Sequence, residues 1–270
     1  MGVPQEFSEA CSAVAFYGVE PGAGPAAGFH AAVTKWFTDL GCPPDRLSVH
    51  GPGHSGKPGA FARVNAKLQK GGFDGVRGMS ITSMTPGCQI PVDDYLLSAA
   101  YDGGGESLFA YVVARSSLAA LSPTGLLPVA RALVQEVKPS YGVGYTRDHR
   151  LGPAMYAIGI CQGLGVGLTG DAYEEARSIS RWCDLGMVKQ VYRAGVLRDV
   201  YPWNFLTQPQ LSGLVGGVPL ERWVRQEAGR GAITSFCDGM SLWEVNETDL
   251  PQVRGALRQA GAIFDWRTHS

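Results

Sequence analysis

The sequence predicts an α+β fold in which an antiparallel or mixed sheet carries helices packed on one face. Three observations lead there. Strand candidates come as neighbouring hairpins, and helices are inserted between groups of strands instead of alternating strictly with them, as a doubly wound parallel sheet would require. A 270-residue chain with 45% hydrophobic and 17% charged residues also has ample apolar side chains for a core. That length fits one unit over residues 1–270 or two packed halves, 1–138 and 139–270. The strand–helix–strand rhythm at both ends allows two similar sub-sheets, although no fixed-period repeat is visible.

Residues 13–17 form an apolar run of strand formers, and the Gly/Pro/Ala stretch 21–28 reads as a loop. Phe29, Val33, Trp36, Phe37 and Leu40 recur at steps of three and four, the spacing of an amphipathic helix, with Gly41 as its stop. A brief strand over 47–50 leads into a Gly/Pro-dense loop, 50–59, and then a helix from about 60 to 69 that Gly71-Gly72 ends. Strands are predicted at 76–83, 95–101 and 107–113, the last two closed into a hairpin by Asp102-Gly103-Gly104-Gly105. In the helix predicted over 124–137, Leu126, Leu127, Ala130, Leu133 and Val134 share one face, Pro123 sits near the start and Lys138-Pro139 ends it.

Residues 141–145 alternate aromatic, glycine and valine, and the charged tetrad Arg147-Asp148-His149-Arg150 reads as a loop. The apolar, Gly-rich stretch 155–167 fits either helix or strand; 172–185 reads as a helix with Glu174, Glu175, Arg177 and Arg181 toward solvent. Tyr201, Trp203 and Phe205 crowd around Pro202, so 196–206 reads as a rigid, partly buried connector whose 201–206 cluster belongs to the core. Near the C-terminus, strands at 232–236 and 240–245 flank Cys237-Asp238-Gly239, a tight-turn signal. Thr248 or Asp249 then caps a helix with Pro251 in its first turn, Val253 and Leu257 inward and Gly261 as stop, before a final strand over 262–266.

Charge and leader signals narrow the partners. With 23 basic against 24 acidic residues, the net charge of −1 gives no bulk attraction to phosphate backbones or anionic lipid, so nucleic acid is not an expected partner. The first twelve residues carry Glu6 and Glu9 with no basic–apolar leader, and no apolar run reaches membrane-spanning length, which points to a cytoplasmic protein without membrane insertion. Cys11, Cys42, Cys88, Cys161, Cys183 and Cys237 are scattered, with none of the close spacing of a zinc knuckle or redox motif, and read as reduced, mostly buried thiols. Neither a metal nor a cofactor is expected. Asn246-Glu247-Thr248 would matter as a glycosylation acceptor only on export.

Gly51-Pro52-Gly53-His54-Ser55-Gly56-Lys57-Pro58 has the glycine and lysine spacing of a phosphate-binding loop. Pro58 stands where a hydroxyl should bind magnesium and Pro52 removes an amide, so a connector is the leading reading and a phosphate site through Gly51, Gly56 and Lys57 the alternative. The glycines and proline between His50 and His54 forbid the helix that a metal-binding pair at that spacing needs. His30 and His269 read as structural or exposed, and the pairs Asp93-Asp94 and Glu174-Glu175 as solvated faces. His149, beside Asp148 and two arginines, admits three readings: a solvated turn, a protein-contact patch or an acid–base site. No Gly-x-Ser-x-Gly elbow occurs.

From 141 to about 264 the order of features resembles the bacterial immunity proteins paired with type VI secretion effectors and related polymorphic toxins. The matching features are Tyr141-Gly142-Val143-Gly144-Tyr145 after a long helix, the segment 198–206, Leu214-Val215-Gly216-Gly217 and the Asp238-Gly239 hairpin. The resemblance implies a cytoplasmic, non-catalytic binding protein that neutralises a toxin by occupying its surface, and it carries over no catalytic residue. The expected partner contacts are Tyr145, Arg147, His149 and Arg150, with Asp102 and Glu106 on the hairpin tip as second choices. A phosphate- or nucleotide-handling enzyme and a structural subunit of a larger assembly are the rival readings.

Overall fold

Strand β1 (Ala10–Tyr17) is buried at every position but its first, and the sheet extends from it on both sides. The structure is a computed structural model that describes residues 9–87, 94–105, 108–161, 170–237 and 239–268. After β1 come α1 (Ala23–Asp39), β2 (Arg46–Gly51), the short strands β3 (His54–Ser55) and β4 (Gly59–Ala60), α2 (Phe61–Gly71), β5 (Gly78–Met84), β6 (Tyr95–Asp102), β7 (Phe109–Arg115) and α3 (Leu127–Val137). The chain continues through β8 (Tyr141–Asp148), a 3-10 turn (His149–Leu151), α4 (Pro153–Ala157), α5 (Asp171–Lys189), β9 (Trp203–Leu206) and α6 (Gln208–Leu211). The hairpin β10 (Leu214–Val215) and β11 (Val218–Pro219), α7 (Leu220–Arg225), a second 3-10 turn (Ala228–Arg230), β12 (Ala232–Cys237), β13 (Met240–Glu244) and α8 (Leu250–Gln259) complete it.

The α+β class and the antiparallel sheet are as the sequence predicts. One 11-stranded sheet runs β12-β13-β9-β8-β1-β7-β6-β5-β2-β3 with β4 also on β2, and β10–β11 stand apart as a small second sheet. The two ends therefore form one continuous sheet, not two sub-sheets, joined where β1 pairs with β8 from Ala10↔Asp148 to Tyr17↔Tyr141.

Helices cover both faces of this sheet, which corrects the expectation of one. Side chains alternate across a strand. Val14 and Phe16 pack with Phe29 and Val33 of α1, Leu68 of α2 and Leu133 of α3, while Ala13, Ala15 and Tyr17 pack with Tyr156 of α4, Trp182 of α5 and Leu257 of α8. The reason lies in the strands: β1, β6 and β7 are buried at successive positions, so neither side can face water.

Four local differences have physical causes. Helix α1 starts at Ala23, well before the predicted 29, because the small residues of the Gly/Pro/Ala stretch let α1 lie close to α3; a Cβ on Gly28 would run into Glu136. The tetrad starts inside β8 and ends in the 3-10 turn, which the Asp148 side chain caps by accepting the Arg150 N–H. Residues 203–206 go further than a connector, becoming β9 between β8 and β13 and buried throughout. Residues 262–266 make no ladder; Ile263 alone bridges Leu197, and the Phe264 N–H donates to the Leu197 carbonyl. Asp238 of the expected turn and residues 162–167 lie outside the described residues, while 155–157 of that ambiguous stretch are helical, in α4. Among those described, no helix is long and apolar enough to cross a membrane.

The Tyr-Gly-Val-Gly-Tyr run of β8 is explained by its two faces. Tyr141, Val143 and Tyr145 join the core under α5. On the opposite face Gly142 lies across from Phe16 and Phe205, and Gly144 across from Trp203. Aromatic rings occupy the space where side chains would stand: a Cβ on Gly144 would come within 3.0 Å of Leu121 and Trp203, and one on Gly142 would overlap the Phe16 ring. Gly142→Ala is therefore expected to destabilise the fold by about 1–3 kcal/mol, and Phe16→Leu to restore part of that loss in the double variant. Additive losses in urea denaturation would show that the ring is not the obstacle.

Candidate functional site

On the face covered by α5 and α8, the segment between α5 and β9 carries an arginine into the tyrosine-rich core. Arg198 is only 1% exposed. Its guanidinium donates to the Tyr17 hydroxyl and, at 2.9 Å, to the Tyr156 carbonyl, while its backbone N–H donates to the Tyr141 hydroxyl at 3.3 Å. The rings of Tyr156, Tyr201 and Tyr17 lie 4.6, 5.7 and 5.8 Å from its central carbon. Among the described residues no carboxylate forms an ion pair with Arg198, and its Nε has no hydrogen-bond partner. Hydroxyl dipoles and ring faces thus take the place of a counter-ion. Burial pushes the hydroxyls of Tyr17, Tyr145, Tyr156 and Tyr201 far above the usual tyrosine range, so they remain neutral.

Above Arg198 a cleft of about 880 Å³ opens between α5, α8 and the residues after α8. Asp199, next in sequence, accepts from Arg254 Nε at 2.9 Å and lies 3.9 Å from Arg258. Arg254 also donates to the Val200 carbonyl at 2.8 Å. On the other wall Glu174 accepts from Arg267 and, at 3.2 Å, from Trp266 Nε1. Glu175 links cleft to core: it accepts from the Tyr156 hydroxyl at 2.6 Å and from Arg147 at 3.4 Å. The Tyr156 hydroxyl in turn lies 3.2 Å from that of Tyr201, and the Arg147 guanidinium sits 4.0 Å from the Tyr156 ring.

The residues singled out from sequence are only partly brought together. Tyr145 is 4% exposed and donates its hydroxyl to the Pro153 carbonyl at 2.7 Å. His149 is 1% exposed, with its Nδ1 3.5 Å from Cys11 Sγ, its ring edge-on to Tyr95 and its backbone N–H on the Glu9 carbonyl. Both therefore lie beneath the surface and cannot touch a partner directly. Arg147 is largely covered by its contacts with Glu175 and Tyr156, whereas Arg150 is partly exposed and pairs with Asp148 at 2.6 Å, which holds the Asp148 carboxyl below its usual range. Asp102 spends its carboxylate on the Gly104 and Gly105 N–H groups at 3.2 and 2.8 Å, and Glu106 lies outside the described residues.

Gly51 to Lys57 folds as the β2–β3 hairpin, with α2 starting only at Phe61. The Gly56 N–H is donated to the Val49 carbonyl and the Lys57 N–H to Ser55 Oγ, so these amides do not converge on a phosphate at a helix start. Among the described residues no three His, Cys, Asp or Glu side chains are grouped to hold a metal. Burial raises the thiols of Cys11 to about 12 and Cys183 to about 11, so both remain protonated.

Sequence reasoning missed Arg198 and took Glu175 for a solvated residue. The signal for Arg198 was present: a charged pair, Arg198-Asp199, inside the partly buried connector 196–206 and just before the 201–206 cluster placed in the core. What the arrangement can do chemically is hold an acceptor group against a dry cation beside paired carboxylates and arginines.

Asp199 gives the site a pH signature. Burial raises its carboxyl above the ordinary aspartate range against the pull of Arg254, the Val200 N–H and Arg258. The folded state thus keeps this proton to higher pH than the unfolded chain, and the associated stability falls as pH rises from about 4 through the raised value. Arg254→Gln should raise that carboxyl further and deepen the fall, read by carboxyl-carbon NMR titration and by denaturation across the window; an unmoved Asp199 titration would refute the pairing.

No family model matches the chain, and no curated protein matches it. Among solved structures, the fold is similar to that of the Pseudomonas aeruginosa T6SS protein PA0821, with a TM-score of 0.58 and 11% identity over 93% of this chain and 73% of that one. At that identity the likeness is one of fold, and it extends along nearly the whole of this chain.

Proposed function

We propose that this chain is a protein-binding member of a bacterial conflict system, an immunity protein that neutralises a toxin or effector by covering its surface in the cytoplasm. The observation that carries the reading is the fold likeness to a T6SS protein across 93% of the chain. The site's chemistry agrees with it. Paired arginines and an aromatic side chain around the cleft, among them Arg254, Arg258, Arg267 and Trp266, are the residue types that anchor protein interfaces. Arg150, with Asp102 as a lesser contact, is the partner-facing residue in this reading, and Arg147 reaches the surface only at its edge. Tyr145 and His149 support them from below, Tyr145 by holding the Pro153 carbonyl and His149 by seating the turn against Cys11 and Tyr95.

Co-expression tests it: the chain should restore growth to cells producing the effector it co-purifies with, at one-to-one stoichiometry. Arg150→Glu should weaken that complex by about tenfold while leaving the melting temperature within a degree or two, since the Arg150–Asp148 pair is half in water. Growth arrest despite a folded, abundant chain would overturn the reading.

A further inference from the structure

We propose that the cleft between α5, α8 and the residues after α8 is a ligand site for a carboxylate monoanion carried on an apolar body, with Arg198 as its floor. This site belongs to the chain itself and does not rest on the toxin-neutralising reading.

Four arginines and four carboxylates line the cleft: Arg198, Arg254, Arg258 and Arg267 against Glu174, Glu175, Asp199 and Asp265. Asp199 is engaged by Arg254 and Arg258, and Arg267 is shared by Glu174 and Asp265. Glu175 is engaged by Arg147 and Tyr156, from outside the cleft's own arginines. Among the described residues Arg198 is the one of these four arginines without a carboxylate, and it is also the most deeply buried of the four. A guanidinium N–H held out of water without an acceptor is costly, and an anionic acceptor placed there relieves that cost with a charge-assisted bond.

The same tally selects the ligand. One uncompensated positive charge suits one negative charge. A phosphate dianion would bring its second charge up against four resident carboxylates, while the other three lining arginines already face carboxylates. The walls add an apolar requirement, because Ile179, Ile263, Phe264 and Trp266 line the cleft beside the charged groups. A volume of about 880 Å³ holds much more than a lone carboxylate and lies in the range of pockets for small organic ligands. A small aromatic or aliphatic acid and an acidic side chain of a peptide share this chemistry.

Calorimetric titration of the full chain with phenylacetate, phenylacetamide and phenyl phosphate separates the possibilities. Phenylacetate is expected to bind in the millimolar range or tighter, phenylacetamide about tenfold or more weakly, and phenyl phosphate no better than the amide. Arg198→Met should abolish the preference for phenylacetate over its amide. Because that change also alters the tyrosine cluster, Ser178→Phe serves as a second variant, filling the cleft from the half-exposed side of α5 while leaving Arg198 in place; it should abolish phenylacetate binding. The proposal fails if phenylacetate does not bind, if the amide binds as tightly, if phenyl phosphate binds more tightly, or if folded Ser178→Phe retains the parent affinity. Titration with a short peptide bearing one glutamate and one aromatic residue, against its glutamine counterpart, then tells a peptide source from a free acid.

Discussion

Strand β1 has almost no solvent side, and much of the architecture follows from that. A strand buried on both faces needs a hydrogen-bonded neighbour along each edge and a layer of apolar side chains above and below. β7 and β8 supply the edges, α1 and α3 one layer, α4, α5 and α8 the other. The two layers differ in character. Beneath α1 and α3 the filling is chiefly aliphatic and phenylalanine; beneath α5 it is enriched in tyrosine and tryptophan, whose polar atoms must find partners inside the protein.

That second layer makes a buried cation tenable. A carboxylate brought in to neutralise Arg198 would itself need desolvation; the rings and hydroxyls of Tyr17, Tyr156 and Tyr201 were going to be buried anyway. The hydroxyl groups thereby find a strong donor, the guanidinium finds acceptors and ring faces, and only the Nε of this cleft-lining arginine is left without a partner among the described residues. Core packing and surface chemistry are therefore one system here, joined through Tyr156, which meets Arg198 on the inside and Arg147 and Glu175 toward the outside.

Much of the fold was legible in the chain because the signals were local. The spacing of Phe29, Val33, Trp36 and Phe37, the Asp102–Gly105 turn and the Pro251–Gly261 helix each specify an element from neighbouring residues. What sequence could not supply was long-range. That helices lie on both faces depends on which strand sits at the centre, and Tyr17↔Tyr141 pairs residues far apart in the chain. The site was less legible for the same reason. Arg147 and His149 stand together in sequence, yet one lies over a tyrosine ring toward α5 and the other is sealed against Cys11. Arg198 gained its meaning only when Tyr17 and Tyr156, 181 and 42 residues away in the chain, were brought to it.

The seam between β1 and β8 also bears on how the chain is made. As synthesis proceeds, β1 can pair with β7 once residue 115 has emerged, but the other edge of this strand, apolar at seven of its eight residues, stays open until 141–148 appear. A nascent chain carrying helix α1, the first strands and α3 thus presents a flat, apolar, unpaired strand of the kind that recruits other chains. The glycines of β8 fit this moment: Tyr-Gly-Val-Gly-Tyr can slide over Phe16 with little side-chain bulk on that face, so the strand that closes the exposed edge meets few obstacles in doing so.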